Sequence, residues 1–169
     1  SGPVFLQSEV PIPEDEDAVG LSARLSELGA EKLLETLDLL ERGMTEAKPQ
    51  EHDKATYAPM LKKEEGEIDW SLDPRSIHNM VRGLLPWPCA YTFFDSKMLK
   101  ILKSTYRFEE HALEFGTLSK TDHELTIACK EGFLLPQVLQ LEGKKALDAR
   151  AFSNGLHTSR VMLGNAART

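Results

Sequence analysis

Residues 90–141, AYTFFDSKMLKILKSTYRFEEHALEFGTLSKTDHELTIACKEGFLLPQVLQL, set the architecture of the larger part of this chain. They divide into five runs rich in β-branched, aromatic and leucine residues: Ala90–Phe94, Met98–Phe108, Gly116–Ser119, Glu124–Cys129 and Phe133–Leu141. Asp95-Ser96, Lys120-Thr121-Asp122 and Lys130-Glu131-Gly132 punctuate them as turns. Five short strands in so little chain predict a small barrel or curled sheet. An OB-like five-stranded β-barrel has this size, and its open face commonly binds nucleic acid or oligosaccharide.

Flanking helices complete that part. Upstream, Asp73-Pro74 is a good helix opening, and Ile77, Met80, Val81 and Leu84 set an apolar face on a helix that ends near Gly83. Trp87, between Pro86 and Pro88, is expected to anchor the corner where this helix enters the barrel, and Trp70 to bury its ring at the junction before it. Downstream, a short helix is expected over Leu147–Ser153.

The amino-terminal part reads differently. PVFLQSEVPI, residues 3–12, suggests one strand or two short ones, ended by Pro11 and Pro13. The acidic run Glu14 to Asp17 then opens a helix, with Asp17 able to cap free N–H groups. Leu21, Leu25, Leu28, Leu33, Leu34, Leu37 and Leu40 follow helical spacing and predict a buried leucine face, with Gly29 bending or dividing the helix and Gly43 stopping it. One strand and one helix do not cover each other's apolar faces, so this part is expected to be the carboxy-terminal edge of a larger α/β domain. Polar residues 43–56 mark a linker.

The chain has 169 residues, 41% of them hydrophobic and 28% charged, which excludes wholesale disorder and fibrous repeats. Its net charge of −7 is unevenly spread. Residues 1–50 carry four bases against eleven acids, whereas residues 66–169 carry thirteen against twelve, so the carboxy-terminal part is the better candidate for a polyanionic partner. No apolar run is long enough to span a bilayer and no leader-like segment is seen, so a soluble cytoplasmic protein with reduced thiols is expected. The five histidines are dispersed, and Cys89 and Cys129 lie far apart among apolar residues, which argues against a metal site and for two core thiols.

Four stretches in register resemble the carboxy-terminal half of the methionyl-tRNA formyltransferase family. They are SGPVFLQSEVPI with its helix, ATYAPMLKKEEGEIDWS, IHNMVRGLLPWPCAYTFF and LQLEGKKALDARAFSNG. The resemblance divides the chain into residues 1–45, the end of a Rossmann-like formyltransferase domain; 46–66, a linker; and 67–169, an OB-like tRNA-binding domain. It implies formyl transfer from 10-formyltetrahydrofolate to the methionyl amine of initiator tRNA, by a full-length enzyme expected to be monomeric. The family's folate site and its three catalytic groups correspond to positions before Ser1. No catalytic or folate-binding residue is therefore expected here, and the fragment alone should be inactive.

Contact with tRNA is the role left to this chain. By resemblance, Lys63 and its neighbour Lys62 lie near the tRNA end. Among the remaining bases, Lys144 and Lys145 follow Gly143 in a loop from which both can reach phosphates, and Arg82 lies on the predicted helix. Lys97, Lys100 and Lys103 recur every third residue on a strand, so they share no face unless a bulge intervenes. A free-standing nucleic-acid-binding module is the competing reading, as is a related formyltransferase or a hydrolase of the same folate. The leucine face distinguishes the first of these: a module would bury it on its own barrel.

Overall fold

The computed structural model describes residues 2–121 and 123–164; Ser1, Asp122 of the second turn signal and residues 165–169 of the expected tail lie outside them. Two compact units follow one another, Ser1–Met60 and Leu61–Thr169.

In the first unit, helix α1 (Ala18–Glu41) begins where the acidic run predicts. The Asp17 carboxylate accepts a hydrogen bond from the Gly20 N–H at 2.8 Å, supplying one of the partners that a helix start lacks. Glu16 holds Arg24 at 2.7 Å, and the Arg24 guanidinium also donates to the Pro11 carbonyl. At the other end Gly43, with φ +65°, closes the helix: its N–H donates to Leu40 and that of Met44 to Leu39.

Three expectations for this unit are corrected. Gly29 does not divide α1, which runs through it as one helix, because a lone glycine costs a helix only about 1 kcal/mol. Residues 3–12 form no strand; Val4 makes a single antiparallel bridge to Lys48, with hydrogen bonds of 2.8 and 2.9 Å, and a strand without a paired neighbour has no ladder to join. The leucine face is not buried: no residue of α1 is, and Leu33, Leu34 and Leu37 are 60%, 69% and 54% exposed.

The second unit is built on helix α2 (Pro74–Gly83) and an antiparallel sheet. Asp73 caps α2, accepting from the Ser76 N–H at 3.0 Å and from its hydroxyl at 2.6 Å, and Pro74 occupies the first turn, where no N–H is needed. The sheet has seven strands: β1 (Ala90–Phe94), β2 (Lys97–Phe108), β3 (Thr117–Lys120), β4 (Leu125–Cys129), β5 (Gly132–Leu141), β6 (Leu147–Asp148) and β7 (Arg160–Met162). Five are those the turn signals mark out. The two additional strands are too short to show alternation: Leu147–Asp148, expected as helix, pairs with β5 instead, and helix α3 runs from Ala149 to Asn154, capped by Asp148.

Strand order is β1-β2-β5-β4-β3-β7, with β6 beside β5. The sheet curls until its ends meet, for Phe93 of β1 and Gly164 just beyond β7 exchange backbone hydrogen bonds of 3.0 and 3.1 Å. Thr92 secures the junction, accepting from the Trp70 indole and donating to the Gly164 carbonyl. Trp70 is therefore buried, as expected. Inside, Ile77 and Val81 of α2 meet Leu99, Ile101, Leu118, Ile127, Leu134 and Leu139 in one core, each almost wholly withdrawn from water and worth about 1.5–3 kcal/mol of transfer.

Candidate nucleic-acid interface

Lys62 and Lys63 enter the second unit on a single 3₁₀ turn, Lys63–Gly66. Its geometry follows from KKEEG: the Lys62 N–H donates to the Glu65 carboxylate, the Glu67 N–H reaches the Glu64 carbonyl, and Gly66 then passes against β1. That approach is very close, since a Cβ on Gly66 would lie 2.3 Å from the Cys89 carbonyl oxygen. Ile68 fixes the register by donating to the Tyr91 carbonyl at 2.8 Å. The Tyr91 phenol beneath this segment titrates above its ordinary range, first because it is buried and then because Glu67 and Glu64 are near.

The turn forms one wall of a cleft of about 360 Å³, lined by Lys63, Trp87, Tyr91, Met98, Lys100 and the Gln140–Gly143 end of β5, with Pro88. Sheet register places the opposite wall: Lys100 stands across from Gln140, and Met98 exchanges hydrogen bonds with Glu142 through its N–H and C=O. Lys144 and Lys145 follow Gly143 directly, on an exposed loop that Gln140 steadies by donating to the Lys144 carbonyl at 3.1 Å.

A bulge decides the lysine triplet. The β2/β5 register shifts on either side of Lys103, so the buried positions run Leu99, Ile101, then Ser104. The extra residue turns Lys103 outward on the same face as Lys100. Lys97 is exposed where β2 begins, across from Phe94. Arg82 does not join this group; it is half-buried on α2 and its guanidinium donates to Asn79 at 2.8 Å. Among the described residues, ion pairs engage Arg24, Lys32, Arg42, Lys54, Arg107 and Lys130, but none of the seven candidate lysines. Their charge is uncommitted.

Trp87 is the residue that sequence reasoning misplaced. It is not a core anchor: the residue is 56% exposed and lines the same cleft as Lys63 and Lys100. The signal was present in Pro86-Trp87-Pro88, because a ring between two prolines sits on no helical or strand period that could carry it inward. The two thiols behave as expected. Cys89 and Cys129 are both buried, and burial pushes the Cys129 thiol up to about 12. Among the described residues no cluster of His, Cys, Asp and Glu could hold a metal ion, and no helix is long and apolar enough to cross a membrane.

A curled antiparallel sheet packed on a helix and carrying unpaired lysines is a mixed α/β module. The family model described as "Formyl transferase, C-terminal domain" matches residues 60–157, and the chain belongs to that family. A curated relative, the methionyl-tRNA formyltransferase of Pelobacter propionicus, is 46% identical over 99% of this chain and 52% of its own length. The chain spans about half the length of the curated relatives it matches. Among solved structures, a HypX variant from Aquifex aeolicus is similar with a TM-score of 0.65 and 21% identity, over 92% of this chain and 28% of that one. HypX in complex with tetrahydrofolic acid gives 0.53 and 20%, over 72% and 22%. At these identities the likeness is one of fold alone.

Proposed function

We propose that this chain is the tRNA-holding portion of a methionyl-tRNA formyltransferase of the cytoplasm, acting through Lys62, Lys63, Lys97, Lys100, Lys103, Lys144 and Lys145. The observation that carries the reading is the convergence of Lys63 and Lys100 on one cleft, with Lys144–Lys145 adjoining it and no carboxylate paired to any of them. Arg82, already engaged by Asn79, contributes little. In this reading the second unit is an OB-like barrel enlarged by two short strands, residues 46–66 connect it, and α1 is the edge of a Rossmann-like domain. The leucines of α1 find no cover within their own unit, which supports its assignment to the edge of a larger layer.

Formyl transfer from 10-formyltetrahydrofolate to the methionyl amine requires a base for the amine proton, a donor for the developing oxyanion and alignment of both reactants. We assign none of these to the present residues. The chain's contribution is binding energy from phosphates. The test is titration of this chain with initiator methionyl-tRNA at several salt concentrations, followed by assay with 10-formyltetrahydrofolate. Affinity should fall steeply with salt, and Lys100→Ala should lower the slope by roughly 0.7–0.9. Salt-independent binding, or formylmethionyl-tRNA above the uncatalysed background, would refute the proposal.

A further inference from the structure

The lysine cleft holds more than phosphate-binding charge. Trp87, 56% exposed, lines it together with Lys63 and Lys100, and the rest of the lining includes the apolar Met98 and Leu141 along with Gln140 and Glu142. A surface selected only for duplex backbone needs bases and small polar groups; it gains nothing from an exposed indole, since paired bases hide their faces in the stack. An unpaired nucleotide uses every element present. Its base can stack on the ring, its phosphate can meet an ammonium, and its edge can bond to an amide or a carboxylate.

We infer that this cleft captures one unpaired nucleotide of a single-stranded RNA segment, with the base stacked on Trp87 and the flanking phosphates on Lys63 and Lys100. The inference rests on the tRNA-holding reading and assigns its single-stranded part to a definite place. Three features make the platform firm. Pro88 and Cys89 behind it are buried, the Cys89 N–H is bonded to the Leu84 carbonyl at 2.9 Å, and the Cys89 thiol donates to the Pro86 carbonyl at 3.0 Å. The ring is thus presented by a loop tied at its base. Glu142 is held as well, its carboxylate accepting the Met98 N–H at 3.2 Å. Guanine offers that carboxylate two N–H donors on one edge, whereas uracil, adenine and cytosine each offer a single donor group, so guanine is the expected preference.

The sequence supplies its own probe, because Trp70 is buried and bonded to Thr92, leaving Trp87 as the only tryptophan open to a collisional quencher. The experiment uses the whole chain, a short unstructured oligoribonucleotide and a blunt RNA hairpin with the same number of phosphates. Binding is read by anisotropy, and acrylamide quenching of Trp87 is read alongside. The oligoribonucleotide should shield Trp87 and the hairpin should not. Trp87→Ala should weaken the single strand at least about fivefold with its salt slope intact, leave the hairpin unchanged, and be largely rescued by Trp87→Phe. Far-ultraviolet circular dichroism and Trp70 emission monitor folding of each variant. Equal loss on both RNAs, or no loss on the single strand, overturns this inference while leaving the tRNA-holding reading in place. Failure of the unsubstituted chain to bind either RNA overturns both.

Discussion

Gly66 and Cys89 are in backbone contact so close that a methyl group on Gly66 would lie 2.3 Å from the Cys89 carbonyl oxygen and about as close as the packing allows to the Tyr91 ring, at 3.0 Å. The obstacle is main chain on one side and a buried ring on the other, so neither can swing away. Gly66→Ala is expected to destabilise the second unit by about 1–3 kcal/mol and to displace the Lys63 turn from the cleft. A denaturant titration of the variant checks the first effect, and RNA affinity the second. An unshifted midpoint would mean that this segment is not seated on β1.

Cys129 lies at the end of β4 with no exposed surface, and burial pushes its thiol up to about 12. Only the thiolate reacts, so the raised value leaves a very small competent fraction near pH 8 before access is even considered. Mass mapping after iodoacetamide treatment should find Cys129 unmodified in the native protein between pH 7 and 9 and modified once denaturant is added. Modification of Cys129 in the folded state would contradict the burial.

Much of this fold was legible because its signals are local. Asp73-Pro74 and Asp17 each carry a capping chemistry that acts within three residues, and both caps form where the sequence places them. The five longer strands are bounded by turn residues that act locally as well. What escaped depends on distant partners. Leu147–Asp148 is strand only because β5 lies beside it, and Val4 to Ile12 is not strand because its described neighbours offer only Lys48. The bulge at Leu102–Lys103 is a property of two strands together, so the common face of Lys100 and Lys103 could be stated only as a condition. Trp87 failed for another reason: hydrophobicity predicts burial only on average, and a ring held between two prolines follows no period that would carry it inward.

The cap on α2 makes stability depend on acid. The Ser76 hydroxyl, and after it the Ser76 N–H, hold the Asp73 carboxyl below its ordinary value. A depressed folded pKa means that the ionised form is favoured by folding. Its contribution is complete above the unfolded value of about 3.9 and is lost as pH falls from there through the folded value. Asp73→Ala should cost about 1 kcal/mol at pH 7, and Asp73→Asn should retain most of the cap while removing this group's share of the acid dependence. Thermal denaturation at pH 7 and near pH 3 separates the two. Equal losses from Asp73→Ala at both pH values would exclude the charge as the source.

The two helices make opposite predictions for the same kind of substitution. Ile77 of α2 has no exposed surface and belongs to the core, so Ile77→Ala should remove about 2–5 kcal/mol from the second unit. Leu34 of α1 is 69% exposed, and Leu34→Ser in this chain should stay within about 0.5 kcal/mol. The contrast becomes diagnostic when both are placed in a protein of the full length of the curated relatives, of which this chain covers about half. If α1 is the edge of a larger α/β layer, as proposed, Leu34→Ser should there become costly, approaching the loss at Ile77, while Ile77→Ala keeps its value. A Leu34→Ser variant that remains neutral at full length would remove the physical basis for assigning α1 to such a layer, because a helix face that is never covered contributes nothing by being apolar.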